Sequence, residues 1–384
     1  MWPYMIRLNP IGISIACFAF VCIYFLYSSS KLSTDDLYAN SFAKRFKLKS
    51  PNSDIFANQH FSPIVTINLK TLLAAVIKAA EIGGNQVRSV YDSHNLQAKN
   101  KGETKEGVKL PVTFADIRSH RAMVNSLSLN FPGLRIISEE NESTNEETEN
   151  PGESLTLKAN KLLLENEFRQ LSDRERPLSD LVVWIDPLDA TKEFTENLLQ
   201  YVTTMVCVSY KGKPIIGVIH KLFDSNQNPR SETYWAWAGN GISSSLQELL
   251  NNRNKSIVSN QTRVIISRSH GGEVKKVANT AFGKHTQFIT AAGSGYKTIE
   301  LIKGNADIYV HITAIKKWDI CAPNALMNAI KGGRMSTLLN EDISYGFEES
   351  VLANDGLLAT LFANEEKHKL SAQNLKAALN SIRD

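Results

Sequence analysis

Asp186 and Asp189 stand three residues apart, with Thr191 two residues further on, directly after the apolar run Leu181-Val-Val-Trp-Ile185. Such a run, short and rich in β-formers, predicts a buried strand. Pro187 cannot donate to a ladder, so the strand is expected to stop there. Asp186 then falls at the strand end and Asp189 in the turn, with Thr191 opening a helix expected over Thr191 to Tyr201. Two carboxylates and a hydroxyl beside free backbone N–H groups suit divalent cations together with a phosphate. By itself the Asp-x-x-Asp spacing is equally the pattern of a solvated turn.

Three further acids occupy element boundaries. Asp116 closes Leu110-Pro-Val-Thr-Phe-Ala-Asp and opens a helix, where an acid also serves as a cap. Glu139 and Glu140 follow Ile136-Ile-Ser138, a strand end leading into the acidic stretch Asn141 to Ser154. Asp319 lies in Lys317-Trp-Asp-Ile-Cys-Ala, the start of a helix that ends near Gly332-Gly333. Carboxylates gathered within a few ångströms cannot all stay ionised without cations between them. A set of hard oxygen ligands with no His or Cys favours Mg²⁺. The strand Arg263-Val-Ile-Ile-Ser-Arg-Ser-His270 ends in Ser267 and His270, where ligands of open sheets gather. Ala291-Ala-Gly-Ser-Gly-Tyr-Lys297 is a glycine-rich turn before a helix; it lacks the spacing of a Walker loop.

The elements that must carry these groups follow the same logic. Leu69, Leu72, Leu73, Val76, Ile77, Ala80 and Val87 form one helix face, with Asn68 as its N-cap. Lys99 to Gly107 reads as a polar loop. Leu155 to Leu171 predicts a helix, Val202 to Val208 and Ile215 to Ile219 a strand pair, and Tyr234 to Trp237 another strand. Asp307 to His311 reads as a strand and Glu365 to Asp384 as a terminal helix.

Asp186-Pro-Leu-Asp-Ala-Thr191 resembles the signature of the lithium-sensitive, magnesium-dependent phosphatases, which include inositol monophosphatases and 3′(2′),5′-bisphosphate nucleotidases. Val112-Thr-Phe-Ala-Asp116, Ser138-Glu-Glu140 and Trp318-Asp319 with Gly332-Gly333 are similar to that family's other motifs, in the family's order. Leu110 departs from a position that is often acidic or serine, and Ser138 replaces a glycine. The resemblance implies an α-β-α-β-α sugar-phosphatase fold. It also implies two magnesium ions sharing Asp186, one completed by Glu139 and the Leu188 carbonyl, the other by Asp189 and Asp319. A third, looser ion would be held by Asp116 and Glu139. Asp116 and Thr191 would orient and deprotonate the attacking water, and Ser267, His270, Gly293, Lys297 and Asp319 would contact substrate. The longer matches Trp184 to Glu196, Tyr201 to Val208 and Lys316 to Ala322 look like the membrane-anchored, Golgi-lumenal nucleotidase branch. That branch implies removal of the 3′-phosphate of adenosine 3′,5′-bisphosphate, the by-product of lumenal sulfotransferases. A homodimer is an expectation from the family alone.

The chain has 384 residues, 42% of them hydrophobic, enough for a large core. A net charge of +4 spread along the chain does not describe a binder of nucleic-acid polymers. Residues 11–27 are uncharged and apolar and reach the lower end of the roughly 17–25 residues a spanning helix needs. They are read as an uncleaved signal anchor after a tail at 1–10, with a stem over 28–65 and a catalytic domain over 66–384. Arg7 on one side, against Lys31, Lys44, Arg45 and Lys47 on the other, does not by itself place the N-terminus in the cytosol; the resemblance implies a single-pass type II Golgi protein. In a lumenal domain Asn141, Asn254 and Asn260 are glycan acceptors by pattern. Beyond the apolar run only Cys207 and Cys321 remain, too few for a disulfide framework, and their state is left open. Two other functions compete: an inositol phosphate phosphatase of the same fold, and a catalytically silent nucleotide or metal binder. Retention of all five carboxylates and Thr191 argues against the last.

Overall fold

The computed structural model describes residues 64–103, 109–140, 151–224, 231–253, 261–268, 271–362 and 364–383. The segment read as a signal anchor, nearly all of the expected stem, the asparagines of the three glycan patterns and His270 lie outside the described residues. Among those described, no helix is long and apolar enough to cross a membrane. Pro63–Asp384 forms one compact unit.

Strand β1 (Thr66–Asn68) leads into helix α1 (Leu69–Asp92), capped as expected by the Asn68 side chain, which accepts from the N–H groups of Lys70 and Thr71. The stretch expected as a loop is instead a hairpin, β2 (Lys99–Glu103) with β3 (Lys109–Val112). Helix α2 (Phe114–Asn130) precedes β4 (Arg135–Ser138). Helix α3 (Pro151–Leu163) starts inside the stretch taken as acidic loop, and a short α4 (Asn166–Arg169) and β5 (Glu175–Pro177) follow it. Central strand β6 spans Leu181–Asp189, with every residue buried.

β6 does not stop at Pro187. Asp186 faces Met205 and Asp189 faces Thr203, so three steps on β6 answer two on its neighbour. This bulge holds one residue with no ladder partner, and a proline can sit there without costing a bond. The helix expected over Thr191 to Tyr201 is shorter: α5 (Thr191–Thr195), then a single 3₁₀ turn at Leu199–Tyr201.

Strands β7 (Thr203–Tyr210), β8 (Lys213–Lys221), β9 (Glu232–Trp237) and β10 (Gly241–Ile242) complete a six-stranded sheet in the order β10-β9-β8-β7-β6-β4. Only β4 and β6 pair in parallel. Leu181, Val183 and Ile185 pack under α1, α2 and α3, while Val182 and Trp184 face the opposite core. Burial on both faces explains why β6 reads as an unbroken apolar run.

Helix α6 (Ser244–Asn251) leads to a second sheet. Its elements in chain order are β11 (Arg263–Ser267), α7 (Gly271–Phe282), β12 (Gln287–Ala291), α8 (Ser294–Lys303), β13 (Ile308–His311), β14 (Ile315–Lys316) and α9 (Lys317–Ala329). Then come β15 (Gly333–Ser336), β16 (Leu352–Ala353), β17 (Leu357–Leu361) and α10 (Glu365–Arg383). The sheet order is β12-β11-β13-β17-β15, with β14 and β16 pairing apart from it. Residues of α8 and α9 share one core with a face of each sheet, and α7 and α10 cover the far side of the second. The layers are therefore helix, sheet, helix, sheet, helix, the architecture expected. Cys207 on β7 and Cys321 on α9 form a disulfide, which settles their open state.

Candidate metal and phosphate site

The carboxylates arrive from four element ends. The β6 bulge turns out Asp186 and Asp189, and the Asp186 carboxylate accepts from the Leu188 N–H at 3.1 Å. Glu139 prolongs the parallel pairing of β4 with β6, donating its N–H to the Ile185 carbonyl at 3.1 Å, which sets it beside Asp186. Asp319 lies in the first turn of α9, where the helix dipole favours an acid. Asp116 is the third residue of α2.

Glu139, Asp186 and Asp319 each bring a carboxylate oxygen within 4.8 Å of the others. At such a separation two ionised groups near a protein surface repel by about 3 kcal/mol. Burial first, and then the neighbouring acids Glu139, Asp189, Asp319 and Asp116, push Asp186 well above the usual carboxylate range. Asp319 is raised in the same way, by burial and then by Glu139 and Asp189. An all-oxygen donor set in mutual repulsion, buried at Asp186 and half-buried at Glu139 and Asp319, fits a hard divalent cation.

Asp116 shows that capping and site geometry are not alternatives. Its Oδ2 accepts the N–H and the hydroxyl of Thr113, both at 2.6 Å, in a capping box. Its Oδ1 accepts the Thr191 hydroxyl at 2.9 Å. Burial lifts its pKa to about 7 against these hydrogen bonds. The same Thr191 hydroxyl lies 3.0 Å from the Leu188 carbonyl oxygen. Asp189 accepts from the Gly295 N–H at 2.8 Å and the Thr203 hydroxyl at 3.3 Å, tying α8 to the bulge.

The expected substrate contacts divide. Gly293 packs against Asp189: a Cβ there would stand 2.9 Å from its Oδ2. Lys297 is buried; desolvation lowers its pKa while Asp189 and Asp319 pull it up, and its ammonium stands 5.1 Å from the Tyr309 ring. Its charge therefore lies against the acids rather than on open surface. Ser267 ends β11, and Arg268 beside it pairs with Glu193 and Glu196 at 3.5 Å. Lys101, on the β2–β3 hairpin, was not expected here. Its ammonium bonds Glu139 at 2.8 Å and also Glu140. Burial works against its charge, yet the two glutamates hold its pKa above the usual lysine value. Nothing in the polar stretch around it marks it out in sequence. Thr203 and the Gly295 N–H were likewise missed.

The profile described as the inositol monophosphatase family matches residues 68–379. The chain belongs to the inositol monophosphatase family. Its members are metal-dependent hydrolases. Among curated relatives it is 38% identical to inositol monophosphatase 3 of Danio rerio, over 94% of each chain. It is 37% identical to the Golgi-resident adenosine 3′,5′-bisphosphate 3′-phosphatase of Mus musculus, over 95% of this chain and 96% of that one. Among solved structures, extragenic suppressor protein suhB of Bartonella henselae superposes with a TM-score of 0.54 at 18% identity, covering 79% of this chain and 98% of that one, which establishes the shared fold.

Proposed function

We propose that this chain hydrolyses the 3′-phosphate of adenosine 3′,5′-bisphosphate to AMP and phosphate. In this reading it is a Mg²⁺-dependent, Li⁺-sensitive nucleotidase clearing the by-product of sulfotransferases in the Golgi lumen, anchored by residues 11–27. The observation that carries the reading is the convergence of Glu139, Asp186 and Asp319 beside the Asp116–Thr191 hydrogen bond. The Golgi-resident name of the mouse relative, matched over nearly the whole of both chains, supports the substrate and compartment.

Glu139, Asp186 and the Leu188 carbonyl would hold one Mg²⁺; Asp186, Asp189 and Asp319 a second; Asp116 and Glu139 a third. When bound, such ions neutralise phosphate oxygens and lower the pKa of water. Asp116 and Thr191 position the attacking water, and Asp116 takes its proton. As the water oxygen bonds to phosphorus, the bond to the 3′ oxygen breaks, and that oxygen leaves on the opposite side and takes up a proton from solvent water to give the alcohol. Ser267, His270 and Gly293 would contact the nucleotide, and Lys297, in electrostatic reach of Asp189 and Asp319, would support the phosphate end by charge. Lys101 offsets part of the acidic charge at Glu139.

The Danio rerio relative bears a different name, inositol monophosphatase 3, so the substrate is decided by assay. Phosphate release from adenosine 3′,5′-bisphosphate and from inositol 1-phosphate is compared at equal concentration, with and without Mg²⁺ and Li⁺. Mg²⁺-dependent, Li⁺-inhibited release mainly from the nucleotide is expected. Release mainly from the inositol ester would overturn the nucleotide assignment; release from neither would overturn the enzymatic reading.

A further inference from the structure

The Cys207–Cys321 disulfide joins β7, the neighbour of the strand that carries Asp186, to α9, which carries Asp319. Cys207 on β7 faces Trp184 on β6, two residues before Asp186. Cys321 is on α9, two residues after Asp319. Both cysteines are fully buried, and their Cα atoms are 5.6 Å apart. The bridge thus ties the strand next to Asp186 to the helix turn that carries Asp319.

That turn lacks a usual restraint. Pro323 lies inside α9 and has no N–H to donate to the carbonyl four residues earlier, which is that of Asp319. The turn also brings Asp319 towards Glu139 and Asp186, against charge repulsion. The helix is seated closely on the sheet at this level. Gly217, which faces Cys207 from β8, would with a Cβ meet the Ala322 carbonyl oxygen at 2.5 Å.

We propose that Cys207 and Cys321 are a positioning pair for Asp319: their disulfide clamps the weakened first turn of α9 so that the Asp319 carboxylate stands in register with Glu139 and Asp186 for a divalent cation. The inference rests on the metal reading of that cluster. It also means that the chain becomes competent for metal where thiols oxidise, as in a secretory lumen.

The test uses the full-length chain and compares wild type, the double variant C207A/C321A, Asp319→Asn and Leu375→Ala. Leu375 lies on α10, buried in the core against the second sheet and outside the site, and serves as a destabilised control. Mn²⁺ binding is read by electron paramagnetic resonance, alongside melting temperature and the Mg²⁺ concentration that half-saturates turnover. Loss of a group that orients a metal ligand typically costs roughly 10–100-fold in affinity. C207A/C321A is expected to lose at least about tenfold in Mn²⁺ affinity, in the manner of Asp319→Asn, while Leu375→Ala binds as wild type despite its lower melting temperature.

Wild-type affinity in C207A/C321A, or an equal loss in Leu375→Ala, overturns the positioning role and leaves the metal site standing. A wild-type chain that binds no Mn²⁺ overturns the metal reading and the positioning role with it. If the double variant does not fold, wild-type chain is reduced below its melting temperature, and the two new thiols are verified by alkylation and mass. A drop in Mn²⁺ affinity on reduction supports the clamp, and unchanged affinity refutes it.

Discussion

Buried His220 should make the protein lose stability as pH falls. The side chain on β8 is almost fully buried, its Nδ1 lies 2.9 Å from the Thr233 hydroxyl, and that hydroxyl donates to Glu81 at 3.2 Å. Its ring edge fills the space at Gly84, where a Cβ would come within 2.6 Å. Burial, with smaller contributions from the cations Arg88 and Lys78, pushes its pKa from 6.5 down to about 3. The unfolded chain therefore takes up this proton first. The stabilising contribution is complete above the unfolded pKa and is lost as pH drops through 6.5, until the folded state also protonates near the lower value. Between pH 7.5 and pH 5 the unfolded histidine goes from mostly neutral to almost wholly charged, which amounts to about 2 kcal/mol. Urea unfolding at the two pH values measures this in wild type and in His220→Gln, whose amide can still reach Thr233. The variant starts less stable because a packed ring is gone, but its loss between the two pH values should be smaller by about 2 kcal/mol. Parallel pH dependence in the two proteins would refute the reasoning, since it would mean that His220 takes up its proton alike in the folded and unfolded chain.

Asp186→Asn should reduce turnover by on the order of 10³ or more, because it removes the carboxylate shared between the proposed ions. Its metal-free melting temperature should not fall, since the mutual repulsion is relieved and an amide oxygen can still accept from Leu188; a calorimetric scan in chelator checks this. Thr191→Val keeps the shape and removes the hydroxyl bonded to Asp116, so kcat should drop by roughly 10²–10⁴ while the half-saturating Mg²⁺ concentration barely moves. Steady-state kinetics across a Mg²⁺ series separates the two quantities, and an unchanged kcat would remove Thr191 from the mechanism. Gly293→Ala forces a side chain onto a backbone at φ +67° and within 2.9 Å of both Asp189 Oδ2 and the Tyr201 carbonyl oxygen. A stability loss of about 1–3 kcal/mol from backbone strain should come with weaker Mn²⁺ binding, and wild-type values of both would contradict the packing described.

What the sequence displayed, and what it hid, follows from the range over which each feature is encoded. β6 and α1 were legible because burial acts on every residue or on every third and fourth, leaving a period in the chain. The five carboxylates were legible as a set only through the resemblance of their motifs, in order, to those of the family, because an acid at a helix start or in a turn has an ordinary use there as a cap or a solvated group. At Asp116 the capping role is present together with the hydrogen bond from Thr191, so the cap does not count against the site. The bulge leaves no such trace, because Pro187 reads as a strand terminator while its missing donor matters only if the ladder calls for one at that residue. The β2–β3 hairpin is exposed on both faces along β2, so no alternation announces it, and Lys101 reached Glu139 unnoticed. The disulfide is the extreme case. Its partners are 114 residues apart, and neither neighbourhood differs from an ordinary apolar strand or helix. Pro323 was the local trace of that long-range need. A proline four residues after a proposed metal ligand takes a backbone hydrogen bond from the very turn that must hold it, so a restraint from elsewhere in the fold is to be looked for, and Cys321 lies between the two.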